Sequence, residues 1–302
     1  MDRSRRACVV FNPAAQGDKA RRFREQLLDI APRAELRPTT GPGSARALAR
    51  EAAEAGYDVV IAAGGDGTVF EVLNGLADVH GGLERVILGV LPLGTANVFA
   101  RELNLPRAPD AAWQALETAS VRRIDCGLAS YQDDSGQPRT ARFLAVAGAG
   151  LDARAVQLVD WSLKKRMGRF AYIVAALRAL LAYQDRPCCE LAGRPFTGRA
   201  VLAGNGSRYA GDLRVFGDGA LDSGRLHVRG VARIGPGLLL RCLAAYLTGR
   251  WILEGRLATD TVSELLLTAA NPVPLELDGE FAGWLPATLR ILPGALRVLA
   301  PG

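Results

Sequence analysis

The chain has 302 residues, 49% hydrophobic and 23% charged, which excludes a disordered or collagen-like protein and allows two domains with separate cores. Its net charge is +6 and all but three of its 37 basic residues are Arg, a balance that suits anionic partners but is spread along the chain. Five cysteines without CxxC spacing and only two histidines, His80 and His227, argue against a disulfide framework or a zinc site. No run of 18 apolar residues offers a transmembrane helix, and MDRSRRACVVFNPAA is too poor in apolar residues for a secretory leader, so the expectation is a cytoplasmic enzyme.

In chain order, ACVVF (7–11) reads as a buried strand and KARRFREQLLDI (19–30) as a helix, with Phe23, Leu27, Leu28 and Ile30 at helical spacing. AELRPTT (34–40) is a second strand, and Ser44 is placed to cap a helix over 45–55 that stops at Gly56. YDVVIAAGG (57–65) and RVILGVLPLG (85–94) are further strands, followed by helices over 68–76 and 95–104 and another at 110–119. Strands separated by helices predict an open α/β layer with a parallel sheet. From about residue 124 strands follow one another, at 122–129, 140–150, 187–191, 198–205, 224–231, 263–269 and 274–280, with helical regions at 152–183 and near 236–248. That half is expected to be a mainly antiparallel sandwich or barrel.

Four short stretches carry chemistry. Gly64-Gly65-Asp66-Gly67-Thr68 follows a buried strand and opens a helix, where glycines let the backbone approach a phosphate and free N–H groups favour an anion. A carboxylate inside that loop suits Mg²⁺ or a proton better than an anion, although Asp66-Gly67 also reads as a plain turn with Thr68 as cap. Pro92-Leu93-Gly94-Thr95-Ala96-Asn97 is a second loop of this kind, and ligands of open α/β sheets bind at the carboxyl ends of strands. Phe11-Asn12-Pro13, with Gly17, ends the first strand. Asp278-Gly279-Glu280 is either a hairpin turn or, together with Asp66, an acidic group of the sort that phosphoryl transfer to a hydroxyl needs. The absence of GxxxxGK[ST], GxGxxG, GxSxG and HRD motifs removes P-loop NTPases, ordinary dinucleotide dehydrogenases, serine hydrolases and protein kinases.

These pieces, in this order, resemble the diacylglycerol kinase catalytic-domain family, which includes bacterial soluble lipid kinases and is related to the sphingosine kinases. The resemblance rests on VVFNPAAQG, TTGPGSA, AAGGDGTVFEVLNGL, LPLGTANVFAREL, GNGSRYAGDLRVFGDGALDSGRL and LELDGE. It implies an ATP- and Mg²⁺-dependent kinase acting on a lipid hydroxyl at a membrane surface. The implied fold is a NAD-kinase-like α/β domain over 1–124, a mainly antiparallel β-sandwich over 125–290, and a tail, 291–302, returning to the first domain. Asn12, Pro13, Thr39, Thr40, Gly64, Gly65, Gly67, Thr68, Gly94, Thr95 and Asn97 match nucleotide-binding positions. Glu280 matches the general base, with Asp278 and Asp66 in a Mg²⁺/water network, and other branches of the family give the proton to the Asp of GGDG. No residue is assigned as a direct metal ligand.

Two positions depart from the family pattern. Val98 stands where many bacterial members have Asp, and Ser223 replaces an expected ligand of a structural Mg²⁺. The segment 163–183 joins Lys164, Lys165, Arg166 and Arg169 to an apolar stripe, Phe170, Ile173, Val174, Leu177, Leu180 and Leu181, which reads as an interfacial helix or as one packed on the β domain. The rival readings are a NAD- or sugar-type kinase of the same superfamily and a non-catalytic nucleotide-binding regulator. No nucleic-acid motif is present, the acceptor lipid is open, and so is a homodimer.

Overall fold

The computed structural model describes residues 5–13, 18–158, 186–234 and 257–301, together with Leu238, Arg241, Ala244, Ala245 and Thr248. Gly17, the expected helix over 163–183 and most of the 236–248 region lie outside the described residues. The chain divides into two units, Met1–Cys126 with Pro293–Gly302, and Gly127–Leu292.

The first unit alternates strands and helices: β1 (Ala7–Phe11), α1 (Asp18–Ile30), β2 (Glu35–Pro38), α2 (Ser44–Glu54), β3 (Val59–Gly64), α3 (Asp66–Ala77), α4 (Gly82–Arg85), β4 (Ile87–Pro92), α5 (Val98–Glu102) and α6 (Pro109–Thr118). β1 lies between β2 and β3, β3 pairs with β4, and Arg297 and Val298 near the chain's end pair with Ile87 and Leu88, every pair parallel. All residues of β1, β3 and β4 are buried, as expected of strands with helices on both faces of their sheet. Each large side chain so buried, Ile61 or Leu88 for example, contributes about 1.5–3 kcal/mol relative to exposure.

The expected helix cap at Ser44 is corrected. Ser44 is the first helical residue, its hydroxyl turned back to the carbonyl of Gly41, and the cap position is Gly43 in the left-handed region. The N–H groups of Gly43 and Ala45 instead donate to the Glu71 carboxylate at 2.9 and 3.0 Å, which ties α2 to α3. The helix expected over 95–104 shrinks to α5, because Asn97 adopts left-handed backbone (φ 49°) and its side chain closes the loop before it.

β5 (Ser120–Gln132) leads from the first unit into the second, which contains β6 (Pro138–Phe143), β7 (Val146–Gly150), α7 (Leu151–Gln157), β8 (Cys188–Leu191), β9 (Arg194–Thr197), β10 (Ala200–Gly204), β11 (Leu226–Val231), β12 (Ala258–Val262), β13 (Glu264–Leu267), β14 (Pro274–Leu277) and the greater part of β15 (Glu280–Ala300). Its main sheet runs β12-β11-β10-β7-β14-β15, antiparallel throughout, with β13 added beside β15. This is an antiparallel β-sandwich, and Val146, Leu202, Leu213, Val215 and Phe216 form one of its core clusters.

The strand expected over 140–150 is two strands. The chain breaks at Leu144 and Ala145, whose N–H groups leave the ladder to bind the Asp278 carboxylate. β9, β12 and most of β15 carry no clean sequence signal; β15 contains Gly283, Pro286, Pro293 and Gly294, all residues that ordinarily mark turns.

Candidate active site

The parallel register sets the geometry of the first unit's site. Phe11 pairs with Pro38 and Ala63, and Gly64 with Pro92, so the carboxyl ends of four strands share one edge of the sheet. The residues after those ends are Asn12-Pro13, Thr39-Thr40, Gly65 to Thr68 and Leu93 to Asn97, which with Gly64 at the end of β3 include every position expected to bind nucleotide. The connection after β1 runs to β2 on one side and that after β3 runs to β4 on the other, and such a reversal point between adjacent strands is where open α/β sheets bind ligands.

The two glycine loops are joined. The Leu93 N–H donates to the Gly64 carbonyl at 2.9 Å, and a β-carbon on Gly94 would lie 2.5 Å from the Cα of Gly65, so only glycine fits there. Within the second loop the Asn97 amide donates to the Gly94 carbonyl at 2.7 Å and accepts the Gly94 N–H at 3.0 Å, while Arg101 donates to the Ala96 carbonyl at 2.6 Å. Asn97 is buried and shapes this loop, while Thr95 stands exposed at its tip.

Asp66 is the first residue of α3. Its Oδ1 accepts the Val98 N–H at 2.8 Å, and the neighbouring N–H groups of Asn97 and Phe99 also favour its charged form. Asp66 therefore braces the start of α5 against the first loop. Burial nevertheless pushes its carboxyl above the ordinary range, outweighing those donors. The first N–H groups of α3, at Gly67 and Thr68, have no partner within the helix and carry its positive end.

In the second unit, Asp278 and Gly279 form a two-residue hairpin turn between β14 and β15, both in left-handed backbone (φ 51° and 84°), with Leu277 paired to Glu280. The Asp278 carboxylate accepts three backbone N–H groups, from Leu144 (2.7 Å), Ala145 (2.8 Å) and Val146 (3.0 Å), and the Asp278 N–H returns to the Val146 carbonyl at 2.8 Å. Asp278 thus fixes the turn, and Glu280 follows it, half-buried, at the start of β15.

Sequence reasoning missed a pair of acids beside this turn. Glu276, 1% exposed on β14, accepts the Gly279 N–H through Oε2 at 2.7 Å and presents Oε1 to the Asp152 carboxyl of α7, which also accepts the Tyr209 hydroxyl. Burial, followed by the Asp152 charge, drives the Glu276 carboxyl well above its usual range. The available signal was a carboxylate inside PLEL, a strand buried at every position.

The described carboxylates do not make a metal cage. No group of three His, Cys, Asp or Glu converges among the described residues, and Asp66 and Asp278 are committed to backbone N–H groups. A Mg²⁺ ion fits this donor set only as a companion of nucleotide phosphates and water, the usual arrangement for that ion.

The first unit is thus a parallel α/β layer with glycine loops at one edge of its sheet, and the second is an antiparallel sandwich with an acidic hairpin turn. Residues 6–129 match the family model described as diacylglycerol kinase catalytic domain, and residues 145–300 that described as YegS C-terminal NAD kinase beta sandwich-like domain. A diacylglycerol kinase of Bacillus subtilis is 28% identical over 98% of this chain and 97% of its own, and a Pseudomonas aeruginosa protein named "Probable lipid kinase YegS-like" is 30% identical over 100% and 96%. The crystal structure of a diacylglycerol kinase from Bacillus anthracis superposes with a TM-score of 0.74 at 23% identity, covering 98% of this chain and 97% of that one. Yeast NADH kinase shares the fold alone, with a TM-score of 0.51 at 9% identity over 98% of this chain and 84% of its own. The chain belongs to the diacylglycerol kinase and YegS-like lipid kinase family.

Proposed function

We propose that this protein transfers the γ-phosphoryl group of ATP to the hydroxyl of a diacylglycerol-, phosphatidylglycerol- or sphingoid-type lipid presented at a membrane surface. The observation that carries the reading is the meeting of the Gly64–Thr68 and Gly94–Asn97 loops at the carboxyl edge of the parallel sheet. Phosphate oxygens there find the N–H groups of Gly67 and Thr68 and the positive end of α3, while Asn12, Pro13, Thr39, Thr40 and Thr95 line the same edge. Mg²⁺, held by the nucleotide's phosphates, would neutralise phosphate charge there.

Glu280 is the base. Its carboxylate takes the proton of the lipid hydroxyl, the lipid oxygen bonds to the γ-phosphorus, and the bond from that phosphorus to the bridging oxygen breaks, releasing ADP. Asp278 and Asp66 hold their loops in place through backbone N–H groups. A cytoplasmic protein touching the membrane peripherally fits this chemistry; no helix among the described residues is long and apolar enough to cross a membrane.

The test is radiolabelled ATP offered with Mg²⁺ and a panel of diacylglycerol, phosphatidylglycerol, sphingosine and NAD, resolved by thin-layer chromatography. Label in one of the lipids supports the reading. Label in NAD alone, or nucleotide binding without transfer to any lipid, overturns it.

A further inference from the structure

The contact between Glu276 and Asp152 has one feature that packing alone does not explain. Both oxygens face Gly148 of β7: a β-carbon on that residue would lie 2.6 Å from Glu276 Oε1 and 2.8 Å from Asp152 Oδ2. Asp152 Oδ1 is occupied by the Tyr209 hydroxyl and Glu276 Oε2 by the Gly279 N–H, while Glu276 Oε1 is buried and meets no N–H or side-chain hydroxyl among the described residues. Two carboxylates that meet with no donor between their facing oxygens repel one another, unless one of them carries a proton and donates it to the other. The oxygen left without a donor, Oε1, is where that proton belongs, and the shift of Glu276 above the ordinary carboxylate range has the same sense.

We infer that Glu276, protonated on Oε1 and hydrogen-bonded to Asp152, is a positioning residue that holds the Asp278–Gly279 turn and so aims the Glu280 carboxylate. The chain of contacts runs from Tyr209 through Asp152 and Glu276 to the Gly279 N–H, one residue before Glu280. Asp278 secures the other side of the turn through Leu144, Ala145 and Val146. Among the described residues the charged and titratable groups around Glu276 are Asp152, Asp278 and Tyr209, none of them a cation. The inference rests on the reading of Glu280 as the base. A displacement of about 1 Å at a reacting group costs on the order of 10²-fold in rate, so a loosened turn shows in turnover before it shows in substrate binding.

The experiment compares wild type, Glu276→Leu, Glu276→Gln, Asp152→Ala and Glu280→Gln. Each is assayed for lipid phosphorylation with diacylglycerol, phosphatidylglycerol and sphingosine in mixed micelles, and the exchange of the Gly279 amide is measured on the full-length protein. Leu keeps the volume but removes the acceptor, whereas Gln accepts the Gly279 N–H and donates to Asp152 as the shared proton does. The expected result is a kcat at least tenfold lower for Glu276→Leu, with the KM for ATP within about twofold of wild type, faster Gly279 exchange, and recovery of both in Glu276→Gln. Asp152→Ala, which serves if Glu276→Leu does not fold, also accelerates Gly279 exchange. Unchanged exchange in these variants, or Glu276→Gln no better than Glu276→Leu, overturns the inference. If Glu280→Gln keeps full activity the base assignment fails separately, and if Glu280→Gln is inactive while Glu276→Leu turns over normally only the positioning role fails.

Discussion

Gly94 and Gly65 touch backbone to backbone: a β-carbon on Gly94 would lie 2.5 Å from the Gly65 Cα and 2.8 Å from the Asn97 side-chain oxygen. The approach is asymmetric, since a β-carbon on Gly65 would meet the Gly94 Cα at 3.4 Å. Gly94→Ala should therefore push the two loops apart and raise the KM for ATP tenfold or more, whereas Gly65→Ala should change it by less than about threefold. Nucleotide titration of both variants checks this, and equal effects would contradict it.

Asp66 serves as the acceptor for the first N–H groups of α5. Asp66→Ala should lower stability by about 0.5–2 kcal/mol, the usual loss when a helix cap is removed, and weaken ATP binding as the second loop loosens. Asp66→Asn supplies a comparable acceptor and should lose less stability than Asp66→Ala. Thermal melting of the two variants beside wild type decides between them.

The Asp278 carboxylate satisfies three backbone N–H groups where β6 gives way to β7. Asp278→Ala leaves all three without that acceptor and places Ala in left-handed backbone, so the loss should reach at least about 2 kcal/mol. Urea unfolding followed by a probe in the second unit measures it, and a loss below about 0.5 kcal/mol would remove Asp278 from its structural role.

Glu276 sets a dependence of stability on pH. Its carboxyl holds a proton in the folded chain far above the value of 4.5 at which an ordinary Glu releases it. The stabilisation is thus complete below that value and is withdrawn as pH rises towards the folded value, because the unfolded chain gives up its proton first. Glu276→Gln cannot titrate. Its melting temperature should gain on wild type between pH 5 and pH 8, and a constant difference across that range would contradict a shared proton.

Much of the first unit was legible in the sequence because its signals are local. Buried apolar runs ending in Gly64-Gly65 and Pro92-Leu93-Gly94 announce strands that stop at glycine loops, and the parallel register brings those ends to one edge. What escaped depends on partners far away in the chain. Glu71 takes the N–H groups of Gly43 and Ala45 at the start of α2, and Asp278 interrupts a continuous apolar strand at Leu144 and Ala145, more than 130 residues earlier. LDGE reads equally as an acidic site and as a tight hairpin turn, and the turn's anchor at Leu144 to Val146 has no local signal. Glu276, the more unusual carboxylate, sits inside the short strand PLEL, where its burial depends on Asp152 and Tyr209 far away in the chain.

The most direct measurement is the rate of phosphate transfer from ATP to a lipid hydroxyl by wild type and Glu280→Gln, side by side and with ATP binding recorded for both. A lipid kinase with Glu280 as base gives labelled lipid from wild type and a rate at least about 10²-fold lower from Glu280→Gln with ATP affinity unchanged. Equal rates from the two proteins, or no labelled lipid from a wild type that binds ATP, would contradict it.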